Sequence, residues 1–134
     1  MLSNCSCLGC VGRGLICVPR GNAKILVVSV MDTDGDEFDI STSSEITFMV
    51  SDGVELSGNM GPGGPVRFTK LLSAGQIIIS TNMYQFRVVI NNADTLLLSK
   101  ERNYYEIQVT AANGRRYTVG AGLFLSQATQ IPGV

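Results

Sequence analysis

The chain has 134 residues, 45% of them apolar, with ten Lys plus Arg against eleven Asp plus Glu and a formal net charge of -1. That is enough apolar content for a single domain with its own core, and it excludes the broad basic surface that non-specific nucleic-acid binding requires. Because the chain contains no histidine, it cannot build a Ser-His-Asp or Cys-His catalytic arrangement or a His-rich metal site.

The first stretch, "NCSCLGCVGRGLIC", holds all four cysteines, Cys5, Cys7, Cys10 and Cys17, spaced C-x-C-x2-C-x6-C. Structural zinc sites usually separate two C-x2-C-like pairs by a dozen or more residues, and only Cys7 and Cys10 have that pair spacing here. The spacing favours an extended, glycine-rich arm over residues 1–21, in which the cysteines act as compact apolar side chains. A zinc or iron–sulfur site on the four thiolates and a disulfide, Cys7–Cys10 or a link to Cys17, are the alternatives. Leu2, Leu8, Val11, Leu15 and Ile16 are then the arm's partner-binding residues. The arm is expected to serve assembly and not folding, since ordering it alone costs roughly 1–2 kcal/mol per residue. The start is polar and uncharged until Arg13, unlike a secretory leader, and no apolar run approaches the roughly 18 residues of a membrane span. These features predict synthesis in a cytoplasm and no membrane partner.

From residue 22 to 127 the pattern has the period of strands, with β-branched and aromatic residues between Gly, Asn, Asp and Pro clusters. Strands are predicted at 24–31, 45–51, 66–71, 76–80, 85–90, 104–110 and 116–126, with 128–134 as a C-terminal tail. In the second of these, Ile46, Phe48 and Val50 alternate with Thr47, Met49 and Ser51, so the first set should face the core. Phe86, Val88, Ile90, Ile107, Val109 and Val119 should do the same. "SGNMGPGGP", residues 57–65, reads as a loop. "NNADTLLLSKERN" lacks alternation and predicts one helical turn, capped by Asn92 or Asp94 and pinned by Leu96, Leu97 and Leu98. Asn113-Gly114 predicts a tight type I′ hairpin joining the last two strands as an antiparallel pair. About seven short strands without a long helix imply an all-β, immunoglobulin-like antiparallel β-sandwich.

Two clusters have chemistry to weigh. Asp32, Asp34 and Asp36, with Glu37 or Asp39, offer hard oxygen ligands for calcium. However, Gly35 comes too early for the helix–loop–helix calcium loop and Ser43 stands at its twelfth position, so a solvated turn is the better account. Tyr104, Tyr105, Tyr84 and Phe86 could stack on a sugar or base, but adjacent tyrosines in a strand more often give one core ring and one surface ring.

The stretch "VPRGNAKILVVSVMDTDGDEFDISTSSEITFMVSDG" resembles the opening of immunoglobulin-like domains in phage tail and baseplate proteins, in particular the family named for the baseplate upper protein. The matching pieces are Arg20-Gly21 before the first strand, the Asp32–Gly35 turn, Asp39-Ile40-Ser41, and Ile46 to Val50. Later, "NADTLLL", "NYYEIQVTAANGRRYTV" and "GLFLS" resemble the family's turn, hairpin and closing strand. The resemblance implies a non-enzymatic structural protein of a phage virion, without a cofactor. It would be an adaptor or connector of tail, neck or baseplate, present in multiple copies and contacting other virion structural proteins. A capsid decoration protein and a glycan-binding host-attachment module are the alternatives.

Overall fold

A computed structural model describes residues 14–128. In chain order the strands are β1 (Leu15–Cys17), β2 (Lys24–Ser29), β3 (Glu45–Ser51), β4 (Val54–Leu56), β5 (Asn59–Gly61), β6 (Val66–Leu71), β7 (Ile77–Ile79) and β8 (Gln85–Ile90). The short helix α1 (Asn92–Leu96) follows, then β9 (Arg102–Thr110) and β10 (Arg116–Leu125). No helix among these residues is long and apolar enough to cross a membrane.

Two sheets face each other. The larger has the order β1-β10-β9-β3-β6, antiparallel except for the parallel β1–β10 pair, and the smaller has the order β2-β8-β7. Period-two alternation sends Ile46, Phe48, Val50, Tyr105, Ile107 and Val109 inward from the larger sheet to meet Leu26, Val28, Phe86, Val88 and Ile90 from the smaller. Phe48 is the hub of this core, with ring centroids 6.1 Å from Tyr105, 6.2 Å from Phe68 and 6.3 Å from Phe124. The chain is an all-β sandwich. The expected inward set is buried, except that Val119 is only partly covered.

Several expectations need correction. The arm does not extend to residue 21. Leu15–Cys17 pair with Leu123–Leu125, and Val18 N–H continues the ladder to the Leu125 carbonyl at 3.0 Å. Ile16, Cys17 and Val18 are buried in the domain, so Ile16 is a core residue and not a free partner contact, and Leu15 is half-buried. The reason is backbone demand: β10 has a strand on its other side, and three residues of β1 satisfy its outer edge. The rest of the predicted arm, including Leu2, Leu8 and Val11, lies outside the described residues, as does the predicted tail from residue 129. The predicted loop at 57–65 contains β5. It is entered by a two-residue turn in which both Ser57 (φ 52°) and Gly58 (φ 83°) are left-handed, the type I′ signature. At the last hairpin, Gly114 has φ 88° but Asn113 does not share the positive region. Gly114 N–H bonds to the Ala111 carbonyl at 2.9 Å and Ala111 N–H to the Arg115 carbonyl at 2.8 Å. This is a three-residue loop closed by a left-handed glycine, not type I′.

The helical turn is capped by Asn91, whose N–H donates to Asp94 Oδ2 at 2.7 Å. Of the three leucines, only Leu98 is buried; Leu96 and Leu97 face solvent. The turn is instead fixed by polar contacts. Thr95, fully buried, accepts the Gly21 N–H on Oγ1 at 2.8 Å, and the Asn92 side chain donates to the Gly21 carbonyl at 2.9 Å. Lys70, on the inward face of β6 and 4% exposed, reaches Asp94 Oδ2 at 2.6 Å.

Two outcomes are expected. A Cβ at position 122 would collide with the Gly14 carbonyl oxygen, so Gly122→Ala should loosen β1 and cost about 1–3 kcal/mol in urea denaturation. Removing the Asp94 carboxylate strands the Lys70 ammonium, so Asp94→Ala should cost about 3–5 kcal/mol. The double variant Lys70→Met/Asp94→Ala should be more stable than Asp94→Ala alone; equal or lower stability would show that the stranded charge is not what destabilises the single variant.

Candidate interaction surface at the open sandwich edge

β2 is an edge strand: β8 flanks one side, and no strand pairs with the other among the described residues. Val30 N–H donates to the Tyr84 carbonyl at 2.9 Å, which sets the parity of the ladder. Even-numbered residues of β2 turn their peptide groups to β8, so Ile25, Val27 and Ser29 present theirs outward. The side chains on the outer sheet face are apolar too. Ile25 is 55% exposed and pairs with Val89, while Val27 and Ile78 flank Arg87 on neighbouring strands.

Across the gap between the sheets, β10 is paired by β1 only over Leu123–Leu125. Its first half, broken by a register shift between Thr118 and Gly120, has an uncovered outer edge among the described residues. A cleft of about 380 Å³ opens there, with Val30, Met31 and Phe38 on one wall and Val109, Tyr117 and Val119 on the other. Phe38 and Tyr117 meet across it with tilted rings 6.1 Å apart. Met31, at the cleft mouth, is 60% exposed.

The turn at the rim of this cleft carries Asp32, Asp34 and Asp36, all exposed, with carboxylate oxygens within 4.8 Å of one another. Asp32 Oδ1 already accepts the N–H groups of Asp34 at 2.9 Å and Asp36 at 3.0 Å, which explains the acids as a turn-forming device. These three are the residues that could hold a hard cation, but calcium asks for six to eight oxygens. Cys17 is disulfide-bonded, and in that state it has no thiolate to offer a metal. Cys5, Cys7 and Cys10 lie outside the described residues.

Tyr104, Tyr105 and Phe86 offer no exposed aromatic face for stacking. Tyr105 and Phe86 are fully buried, and Tyr104 is also covered, so the pair does not split into a core ring and a surface ring. Burial, then the Glu106 carboxylate that accepts its hydroxyl at 2.9 Å, push the Tyr104 phenol up to about 12. Elsewhere the Ser73 hydroxyl holds Glu45 below its ordinary range, and the Arg67 guanidinium does the same for Asp52 through bonds of 2.7 and 2.8 Å. The Ser41 hydroxyl likewise lowers Asp39. Each of these carboxylates is held ionised by a contact that also fixes a turn or strand end.

The acids stand out in the sequence, whereas the cleft they border does not. The signal for it is "VMDTDGDEF", an apolar–acidic–aromatic stretch, together with Tyr117 just after the hairpin glycine. Comparison with known proteins finds no family model that matches the chain and no curated protein with detectable sequence similarity.

The cation reading has a direct check. With three carboxylates, one already engaged, millimolar calcium should move the melting temperature by less than about 2 °C relative to excess chelator. A shift of several degrees, lost in Asp34→Asn, would establish a cation site.

Proposed function

We propose that the chain is a structural subunit of a phage virion, an adaptor of tail, neck or baseplate acting through protein–protein contacts. The observation that carries this reading is the open side of the sandwich. Unpaired β2 peptide groups lie beside exposed Ile25, Val27, Met31 and Ile78, a surface suited to a protein neighbour. The strand order supports the immunoglobulin-like reading. β2-β8-β7 corresponds to the B-E-D order of such sandwiches and β10-β9-β3-β6 to G-F-C-C′. Two motifs that carry the sequence resemblance, Arg20-Gly21 and Asn92 to Thr95, also bind each other through the Gly21 peptide. That contact gives those residues a reason to recur in one architecture.

Immunogold labelling of purified particles with an antibody to this chain is the test. Label at the tail, neck or baseplate is expected. Label over the capsid would favour the decoration role, and particles without label would overturn the virion reading.

A further inference from the structure

We infer that two copies of the chain pair β2 edge to edge, antiparallel about a two-fold axis at Val27, and join their smaller sheets into one. The ladder and the symmetry together set the register. Within β2, Ile25, Val27 and Ser29 turn their peptide groups away from β8, and residues that bond directly across an antiparallel pair must both present theirs. Centring on Val27 sets it against the second copy's Val27 and sets Ile25 against that copy's Ser29. Every outward peptide group of the six-residue strand is then used. A contact of this kind is isologous, so it closes as a dimer and leaves neither β2 edge bare.

Charge and shape select this arrangement. Exposed Arg20 lies just before β2, and Lys24, which donates to the Cys17 carbonyl at 3.1 Å, begins it. Exposed Asp32, Asp34, Asp36 and Glu37 follow its far end, and no ion pair among the described residues engages these four acids. Antiparallel pairing brings the basic end of each strand beside the acidic turn of the other, whereas parallel pairing would set like beside like. Arg87, the cation opposite Val27 on β8, does not oppose the contact. The two copies of Arg87 stand three strand spacings apart, roughly 14 Å, beyond the ~8 Å screening length. The β10 margin is filled at one end by β1, alongside Leu123–Leu125, and opens at the other as the cleft beside Tyr117 and Val119. β2 starts from the filled end, after the turn in which Asn22 N–H bonds to the Pro19 carbonyl, and leads to Val30 in the cleft wall. The two-fold therefore sets the filled end of each copy against the cleft end of the other. This pairing does not depend on the virion reading, because it is measured in solution and that role on particles.

Analytical ultracentrifugation and hydrogen exchange on the full chain test it. A dimer is expected that weakens with added salt and dissociates on dilution. The amides of Ile25, Val27 and Ser29 should exchange at least about 10-fold more slowly in the dimer than in the diluted monomer, while Leu26 and Val28 stay slow in both. Val27→Lys sets two ammonium groups across the axis and should give a monomer that still melts cooperatively. Arg20→Glu and Asp34→Arg should each weaken the dimer about fivefold or more, since each reversal counts at two contacts, and Arg20→Glu/Asp34→Arg together should restore it. A chain that stays monomeric at about 1 mM would overturn the inference. So would a dimer whose outward amides exchange as fast as the monomer's, which places the interface elsewhere, or single reversals that leave its affinity unchanged. If Val27→Lys fails to fold, exchange on the unaltered chain and the charge reversals decide.

Discussion

A five-stranded sheet facing a three-stranded one leaves two strands' width of inner surface without a partner sheet, and the periphery of this molecule is organised by how that overhang is covered. On the β6 side the cover is the segment through α1. It sends Asp94 to the inward Lys70, buries Leu98, and places Ser99 within 3.4 Å of the Arg67 guanidinium. On the β10 side the cover is thinner. Ile16 packs at one end, Phe38 and Ile40 from the long β2–β3 connection pack at the other, and a cleft remains between them. The polar and open features of the fold fall at these two margins because the middle is closed by aromatic and β-branched side chains.

The buried ion pair is an expensive way to cover a margin, since an apolar pair of similar volume is often as stable. It does have a positional effect. Asp94 Oδ2 accepts both the Lys70 ammonium and the Asn91 N–H, so one oxygen fixes the start of α1 and its seat on β6 together. Thr95, the next residue, carries the Gly21 peptide on its hydroxyl. A five-residue helix is too short to be stable by itself. Here it joins β6 to the crossing between β1 and β2, and so sets where the chain enters each sheet.

The part of the fold that can be read from the sequence is the part governed by alternation. The strands β2, β3, β6, β8 and most of β9 bury one face against one core, and period-two patterning reports that directly, whereas β10, with its register shift, does not alternate. β1 is hidden because three residues set among cysteines and glycines show no period, and its order depends on the distant β10 edge. Composition points to Asn113-Gly114 for the type I′ turn, yet that turn is found at Ser57-Gly58, because the loop length, set by pairing, decides the turn type before composition does. Lys70 inside "VRFTKL" keeps the alternation, yet its charge argues for the outside face; its partner lies 24 positions away and leaves no local trace. The acids of the candidate surface are visible in the sequence, whereas its apolar walls come from two segments nearly eighty residues apart.

Free edges are usually blunted by inward charges, proline, bulges or covering segments. β10 follows that rule with a register shift near Val119, and β6 does so with the inward Lys70. β2 does not: it is six residues long, lacks proline, and alternates buried Leu26 and Val28 with exposed Ile25 and Val27. Such a strand, left bare, is open to pairing with another stretch of chain. The cleft that exposes Met31 and Tyr117 opens at Val30, just past the end of β2, so the bare edge and the apolar cleft adjoin at one corner of the domain.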